Sequence, residues 1–172
     1  IFLRFINLLI NDAIFLLDEG LSLMAKLREA EQDRESGAWH RETDVQRHQN
    51  EQNFMHLGRL AKFHNFIGRD TISTLALITN IVRSFFSHNI LVDRMAAMLN
   101  YFLHHLVGPS KINFKVKQMS DYEFNPGELV ANICQIYVNL ACPTPPQSVL
   151  PGHTSSEVIN PKYEAFCLAI CQ

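Results

Sequence analysis

Apolar side chains recur every three or four residues along the start of the chain, which predicts an amphipathic helix from Leu3 to about Glu31. Its stripe consists of Ile6, Ile10, Ala13, Leu17, Met24 and Leu27, with Gly20 or Leu21 in the gap. A second stripe, formed by Phe2, Phe5, Leu9, Leu16 and Leu23, lies beside the first. We therefore expect the first half of this helix to be buried on more than one side.

Charged residues crowd into the next stretch, where 12 of the chain's 32 fall between Lys26 and Glu51. This composition predicts a solvated connection with a turn at "ESGAWH". Helical spacing resumes with Phe54, Leu57, Ala61 and Phe63 and fades at "NFIGRD". There, Gly68 is the predicted terminator and Asp70 the predicted cap of a third helix over "TISTLALITNIVRSFF".

A fourth helix is predicted from Asn89 to Val107, with an inward stripe of Val92, Met95, Leu99, Phe102 and Leu106. Gly108 is well placed for a left-handed C-cap, and Pro109 cannot continue the helix. The spacing predicts that this helix ends at Val107, just after its two histidines.

Beyond Pro109, Ile112, Phe114 and Val116 alternate with lysines and an asparagine, which predicts a short extended segment. "NPGE" then opens a fifth helix, with Asn125 as N-cap, Pro126 at the first helical position and Glu128 placed for a capping box. The buried stripe of this helix is predicted to be Leu129, Ile133, Ile136 and Leu140.

Composition narrows the possible functions. Of the 172 residues, 47% are hydrophobic and 19% charged, so the chain can build the core of one ordinary domain. The formal charge of -2 gives no global attraction to nucleic acid or to an anionic membrane, and we expect neither as a partner. Polar residues such as Arg4, Asn7 and Asp12 interrupt the apolar opening before it could span a membrane.

Histidines and acidic residues offer the most visible candidate chemistry. His40, His48, His56 and His64 are eight apart, and each would be rotated about 80° from the last on a continuous helix, so the four cannot converge on one metal ion. Adjacent His104 and His105 point about 100° apart and suit a helix C-terminus. Asp12, Asp18 and Glu19 interrupt an apolar run. They are expected to face solvent or to cap a neighbouring helix, with a site that faces a partner or a buried hydrogen-bonded site as the alternative.

Cysteines and sequence motifs give no catalytic or metal site. Cys134, Cys142, Cys167 and Cys171 lack paired zinc-ligand spacing, and we expect reduced thiols of an intracellular protein. No phosphate loop, Glu-x-x-His pair or G-x-S-x-G elbow occurs in the sequence. We therefore assign no catalytic, cofactor-binding or metal-binding residue and expect no cofactor.

Several segments occur in the same order as in a known family. They are "FINLLINDAIFLLDE" (5–19), "LAKFHN" (60–65), "DRMAAMLNYFLHHLVGP" (93–109), "FKVK" (114–117), "YEFNPGELV" (122–130) and "ICQIYVNL" (133–140). Together they resemble the core of the ubiquitin chain-elongation factors, also called ubiquitin conjugation factors of the E-four class, and are most similar to the animal A-type members. The resemblance runs from about Phe2 to Leu140.

The resemblance implies an all-α fold of armadillo-like antiparallel hairpins in a curved scaffold that carries a U-box, a zinc-free relative of the RING domain. The U-box would recruit a ubiquitin-conjugating enzyme, and the assembly would act as a ubiquitin-protein ligase that extends chains on substrates marked for proteasomal degradation. Expected partners are that enzyme, ubiquitin, ubiquitinated substrates and the valosin-containing AAA ATPase. The expected location is cytoplasm and nucleus.

The resemblance and the proline content together give the expected domain organisation: a helical core segment over 1–140, a proline-rich loop or insertion over 141–162, and the start of the next core element over 163–172. Five of the seven prolines lie between Pro143 and Pro161. Both ends are expected to be cuts through a longer protein, so that this piece without a U-box would not transfer ubiquitin. The alternatives are a stand-alone helical adaptor and, more remotely, a helical metal or Cys-His enzyme.

Overall fold

The structure, a computed structural model, describes residues 1–86 and 88–141, and every regular element in these ranges is helical. The α-helices are α1 (Phe2–Glu35), α2 (Asp44–Ile81), α3 (Arg83–Phe86), α4 (Asn89–Val107) and α5 (Pro126–Ala141). Short 3-10 helices occupy Ala38–Arg41, Pro109–Phe114 and Met119–Tyr122. The all-α prediction is confirmed. The predicted segments 141–162 and 163–172 lie outside the described residues, except for Ala141 at the end of α5.

Helices α1 and α2 form a closely packed antiparallel hairpin. Gly20 of α1 faces Asn65 of α2, and a Cβ on Gly20 would lie only 2.5 Å from the Asn65 Oδ1 atom. One turn further along, a Cβ on Gly68 would lie 3.1 Å from a methyl carbon of Leu17. Each helix thus places a glycine where the other crosses it, which lets the two backbones approach closely.

Helix α2 is continuous through the predicted break at Gly68 and Asp70, and that prediction is wrong. A glycine inside a helix costs only about 1 kcal/mol, and at this crossing any Cβ would lie within 3.1 Å of Leu17 and force that side chain to shift. The connection before α2 is also shorter than predicted, because α1 runs to Glu35. Thr43 and Gln46 start α2 with a capping box, a sequence signal that the spacing of apolar residues does not contain.

Helices α4 and α5 stack on this hairpin with corresponding helices parallel. Arg94 of α4 bonds Asn7 and Asn11 near the start of α1, and Tyr101 further along α4 bonds Asp18. Helix α5 likewise runs parallel to α2. Asn65 of α2 hydrogen-bonds the connection before α5, whereas Ala76, further along α2, accepts a hydrogen bond from Asn139 near the end of α5. Helical solenoids stack hairpins in this way. The curved, armadillo-like scaffold itself stays a prediction.

The core is built from the predicted stripes. The first stripe of α1 and the stripes of α4 and α5 are all buried. The second stripe of α1 is only partly confirmed, since Leu23 is buried, Phe2, Leu9 and Leu16 are half-buried and Phe5 is exposed. Phe63 of α2 is also exposed, against prediction, because it lies about 200° around the helix from buried Asn65.

The connection from α4 to α5 folds differently from its sequence pattern. Pro109–Phe114 forms a 3-10 helix, so the predicted extended segment is wrong there, although Phe114 and Val116 are buried and the lysines between and after them are exposed. Gly108 is extended rather than left-handed, with φ -73° and ψ -175°. Its backbone N–H donates to the carbonyl of His104. A Cβ at this position would lie 2.2 Å from that oxygen, so only glycine fits without a shift of the backbone.

Side chains of the first hairpin hold this connection in place. The carboxylate of buried Glu31 accepts the backbone N–H of Lys117 at 3.0 Å, and the amide of Asn65 donates to the carbonyl of Tyr122 at 3.0 Å. Glu123, the one non-glycine residue of the described ranges with a positive φ (52°), accepts a hydrogen bond from Arg69. These bonds fix where α5 begins.

Polar groups at the start of α5 and on its buried face have hydrogen-bond partners. Asn125 accepts the N–H of Glu128 at 3.2 Å, which confirms the predicted cap. Deeper in the interface, the amide of Asn139 donates to the carbonyl of Ala76 at 2.9 Å and to the hydroxyl of Thr79 at 3.1 Å. A buried amide with its partners in place favours one alignment of α5 on α2, since any other alignment leaves it unpaired.

Replacing Gly20 by alanine should destabilise the protein although alanine is the better helix former. The new methyl group would collide with Asn65, whose amide is held by Tyr122, so the helices must separate or the bond must break. We expect the free energy of unfolding to fall by about 1–3 kcal/mol in urea denaturation.

Gly127→Ala is the matched control, because its nearest atom outside the helix backbone is the Asn125 Oδ1 at an ordinary 3.5 Å. This variant should be neutral or slightly stabilising. Equal effects of the two substitutions would contradict the close crossing.

Tyr137 joins α5 to α4 through a hydrogen bond from its hydroxyl to the Asn100 Oδ1 at 2.6 Å. Burial raises the pKa of the Tyr137 hydroxyl from 10.0 to about 12. Between these two values the unfolded chain releases the proton while the folded chain keeps it. A rise in pH through this range therefore favours unfolding.

We expect the free energy of unfolding to fall more steeply between pH 10 and pH 12 in the unaltered protein than in a Tyr137→Phe variant. Urea denaturation of both proteins across this range measures the difference, and other groups that titrate there cancel in the comparison. Parallel curves would show that Tyr137 keeps an ordinary pKa.

Candidate functional site

A cleft of about 410 Å³ opens between α1 and α4. Its lining is mainly apolar and consists of Ile14, Ala97, Met98, Asp18, Arg94 and Tyr101. The parallel course of the two helices places the polar members: Arg94 donates to Asn7 and Asn11, and Tyr101 donates to Asp18 at 2.8 Å. These bonds engage the polar groups in holding the two helices together. The cleft therefore offers an apolar floor for binding and no prepared nucleophile.

The acidic positions singled out in the sequence separate in the structure. Asp18 faces α4, and its hydrogen bond with Tyr101 is the main cause that raises the pKa of that hydroxyl. Asp12 is exposed and Glu19 is half-buried, and none of the ion pairs in the described residues involves either. Asp18 thus faces a neighbouring helix, whereas Asp12 and Glu19 remain available to a partner.

An exposed apolar surface, which we call the outer face, lies on the side of the first hairpin away from the core. It comprises Phe5, Leu8 and Phe15 of α1 and Phe63 and Phe66 of α2. Phe15 and Phe63 are 60% and 59% exposed. Their rings are linked by His64, whose ring centre lies 6.2 Å from Phe15 and 5.5 Å from Phe63. One aromatic run therefore crosses from α1 to α2.

The candidate histidines do not form a metal centre among the described residues. His40 lies on the 3-10 helix between α1 and α2, whereas the other three of its series lie along α2. His48 contacts Gln52, and a ring nitrogen of His64 bonds the carbonyl of Leu60 at 2.8 Å. Within residues 1–86 and 88–141, no three His, Cys, Asp or Glu side chains are placed to hold a metal ion.

The paired histidines lie near the end of α4, and Cys134 is the cysteine within the described residues. A ring nitrogen of His105 hydrogen-bonds the carbonyl of Tyr101 one turn back, and the two rings pack with their centres 4.2 Å apart, so the His105 side chain is engaged along its own helix. Cys134 is an exposed free thiol on α5. Cys142, Cys167 and Cys171 lie outside the described residues. In the described part, none of the helices is both long and apolar enough to cross a membrane.

These features define a class: an all-α unit that offers binding surfaces, with no assembled reactive or metal-binding cluster in its described part. Comparison with known proteins gives the family. The whole chain, residues 1–172, matches the family described as ubiquitin elongating factor core. The protein therefore belongs to this family, as the resemblance predicted.

Curated relatives agree with this assignment. The chain is 46% identical over 81% of its length to ubiquitin conjugation factor E4 A of Bos taurus. It is 32% identical over 91% of its length to the probable ubiquitin conjugation factor E4 of Arabidopsis thaliana, and 31% identical over 81% to the E4 ubiquitin-protein ligase UFD2 of Saccharomyces cerevisiae. The matched part spans 13%, 15% and 15% of these relatives, respectively.

The contribution of Arg94 to the packing of α1 against α4 can be tested by substitution. Arg94→Met keeps much of the apolar length of the side chain but removes the bonds to Asn7 and Asn11. We expect the free energy of unfolding to fall by about 1–3 kcal/mol, because these hydrogen bonds involve a charged group. Arg59→Met, at an exposed position of α2, is the control and should be neutral. No difference between the two variants would remove Arg94 as a link between α1 and α4.

Proposed function

We propose that the protein that contains this chain extends ubiquitin chains, and that the chain contributes a segment of its helical scaffold. The match of all 172 residues to the ubiquitin elongating factor core carries this proposal. The relative from yeast is named as a ubiquitin-protein ligase, and those from cattle and Arabidopsis as ubiquitin conjugation factors. The described helices supply binding surfaces but no reactive cluster, which fits a scaffold role.

In this proposal the bond-forming chemistry belongs to a conjugating enzyme. A lysine amine of an acceptor ubiquitin attacks the thioester between that enzyme and a donor ubiquitin, an isopeptide bond forms, and the enzyme's cysteine thiol is released. A U-box elsewhere in the protein would bind the conjugating enzyme. The scaffold would hold an acceptor that already carries ubiquitin near it, which favours transfer by proximity.

The proposal extends to partners and location. Ubiquitin and ubiquitinated substrates would bind during extension, and the lengthened chains would direct substrates to the proteasome. The valosin-containing AAA ATPase would be a further partner, and the protein would act in cytoplasm and nucleus. Co-purification of the ATPase with the full-length protein from each compartment tests both points, and its absence from both would count against them.

A reconstituted reaction tests the activity. Full-length protein, activating enzyme, conjugating enzyme, ubiquitin and a substrate that carries a short ubiquitin chain should yield longer chains on gel electrophoresis. The same mixture without the full-length protein is the control. If the full-length protein never stimulates extension and a U-box is missing from its remaining sequence, the helical adaptor becomes the better description.

Substitutions in this chain separate the scaffold role from catalysis. Cys134→Ser removes the exposed free thiol of α5, and His105→Gln removes an imidazole near the end of α4. Both variants should extend chains at the rate of the unaltered full-length protein. A large loss with Cys134→Ser in a normally folded protein would instead support thiol chemistry in this segment.

A further inference from the structure

A second cavity, which we call the tip pocket, lies where the chain turns from α1 into α2. Its lining comes from the last turns of α1, the 3-10 helix Ala38–Arg41, Glu42 and the first turns of α2, and the described parts of α4 and α5 contribute nothing to it. The pocket has a volume of about 280 Å³. Sites for drug-sized ligands measure about 300–1,000 Å³, so the tip pocket suits a single side chain.

The floor of the tip pocket is apolar and aromatic. Trp39 and Phe54 meet edge to face, with their ring centres 6.4 Å apart, and Leu57 completes the floor. Beside the pocket, the guanidinium carbon of Arg34 lies 5.2 Å from the centre of the Phe54 ring. Cations are attracted to the faces of aromatic rings, and arginine stacks on them particularly well. The floor therefore suits a cation that is carried on an apolar stem.

Two carboxylates give the tip pocket a negative charge. Asp33 and Glu42 belong to its lining, which includes no lysine, arginine or histidine of the described residues. Neither carboxylate takes part in an ion pair within that part of the chain. The Glu42 Oε2 accepts a hydrogen bond from the amide of Asn50 at 2.6 Å, which holds it in place without neutralising it. The pocket therefore attracts a cation.

Trp39 adds a hydrogen-bond donor that is not used. This residue is only 7% exposed, and its indole N–H donates to no other group of the described residues. Since no fully buried polar side-chain atom in these ranges lacks a partner, the N–H must reach the surface. Trp39 lines the tip pocket, and indole N–H groups of buried tryptophans usually find a partner. An acceptor brought by an occupant would supply it.

We propose that the tip pocket binds an arginine side chain in an exposed segment of a partner protein. In this complex the guanidinium lies against the aromatic floor and donates to Asp33 and Glu42, and a backbone carbonyl of the partner accepts the indole N–H of Trp39. Arginine fits better than lysine, because its planar group has five N–H donors and is less strongly hydrated than an ammonium. The proposal depends on no step of ubiquitin transfer.

Saturation-transfer NMR of the full-length protein with N-acetyl-arginine N-methylamide tests the proposal, because this method detects weak ligands of large proteins. We expect the side-chain signals of this probe to be several-fold stronger than those of the corresponding lysine and glutamine probes. Equal signals from the lysine probe would overturn the recognition of a guanidinium. Stronger signals from free L-arginine would assign the pocket to a free amino acid and would also overturn the proposal.

A charge-neutralising double variant locates the binding. Asp33→Asn combined with Glu42→Gln keeps the size of both side chains and should weaken the arginine signal several-fold. Asp93→Asn combined with Asp121→Asn is the matched control, because it makes the same change of charge at exposed positions outside the pocket. This control should leave the signal unchanged. Equal arginine signals from the two double variants would overturn the proposal.

Trp39→Phe tests the donor separately from the charge. It keeps an aromatic ring in the floor and removes the indole N–H, so the arginine signal should fall while the preference over the lysine probe remains. An undiminished signal would show that the indole N–H makes no bond to the occupant and would overturn that part of the proposal.

Discussion

The close crossing of α1 and α2 is the contact on which the rest of the described structure depends. Gly20 admits the side chain of Asn65, and Gly68 admits Leu17, so the two longest helices can pack along their length. Asn65 then donates from the same crossing to the carbonyl of Tyr122. This bond ties the connection before α5 to the first hairpin. The position of the second hairpin thus follows from the geometry of the first.

The sequence predicts an element well when one face of a helix is buried and its pattern is uninterrupted. The stripes of α1, α4 and α5 meet this condition, and so does the cap at Asn125. Gly68 and Asp70 mislead because local stop signals are weaker than the packing that needs a glycine at the crossing. Phe5 and Phe63 mislead for another reason: periodicity shows which side chains share a face, but it cannot show whether anything covers that face.

The candidate surfaces were less predictable than the fold, because they depend on residues far apart in sequence. Spacing along α1 cannot indicate that Asp18 bonds Tyr101 whereas Asp12 stays exposed, since this follows from the placement of α4 beside α1. Family membership could be predicted from the sequence because stretches such as "DRMAAMLNYFLHHLVGP" combine buried positions with helix-ending residues in a specific order. These stretches identify the family through packing rather than through any reactive group.

The amide of Asn139 limits how the two hairpins can move relative to each other. A slip of one helical turn, about 5.4 Å, would carry this side chain past the Ala76 carbonyl and the Thr79 hydroxyl and strand it in an apolar interface. Sliding is therefore opposed by a discrete barrier, whereas a small tilt about the Asn139 contact keeps its hydrogen bonds. A longer stack of hairpins joined by such buried amides would bend by small tilts between neighbouring hairpins and would resist sliding of one hairpin past the next.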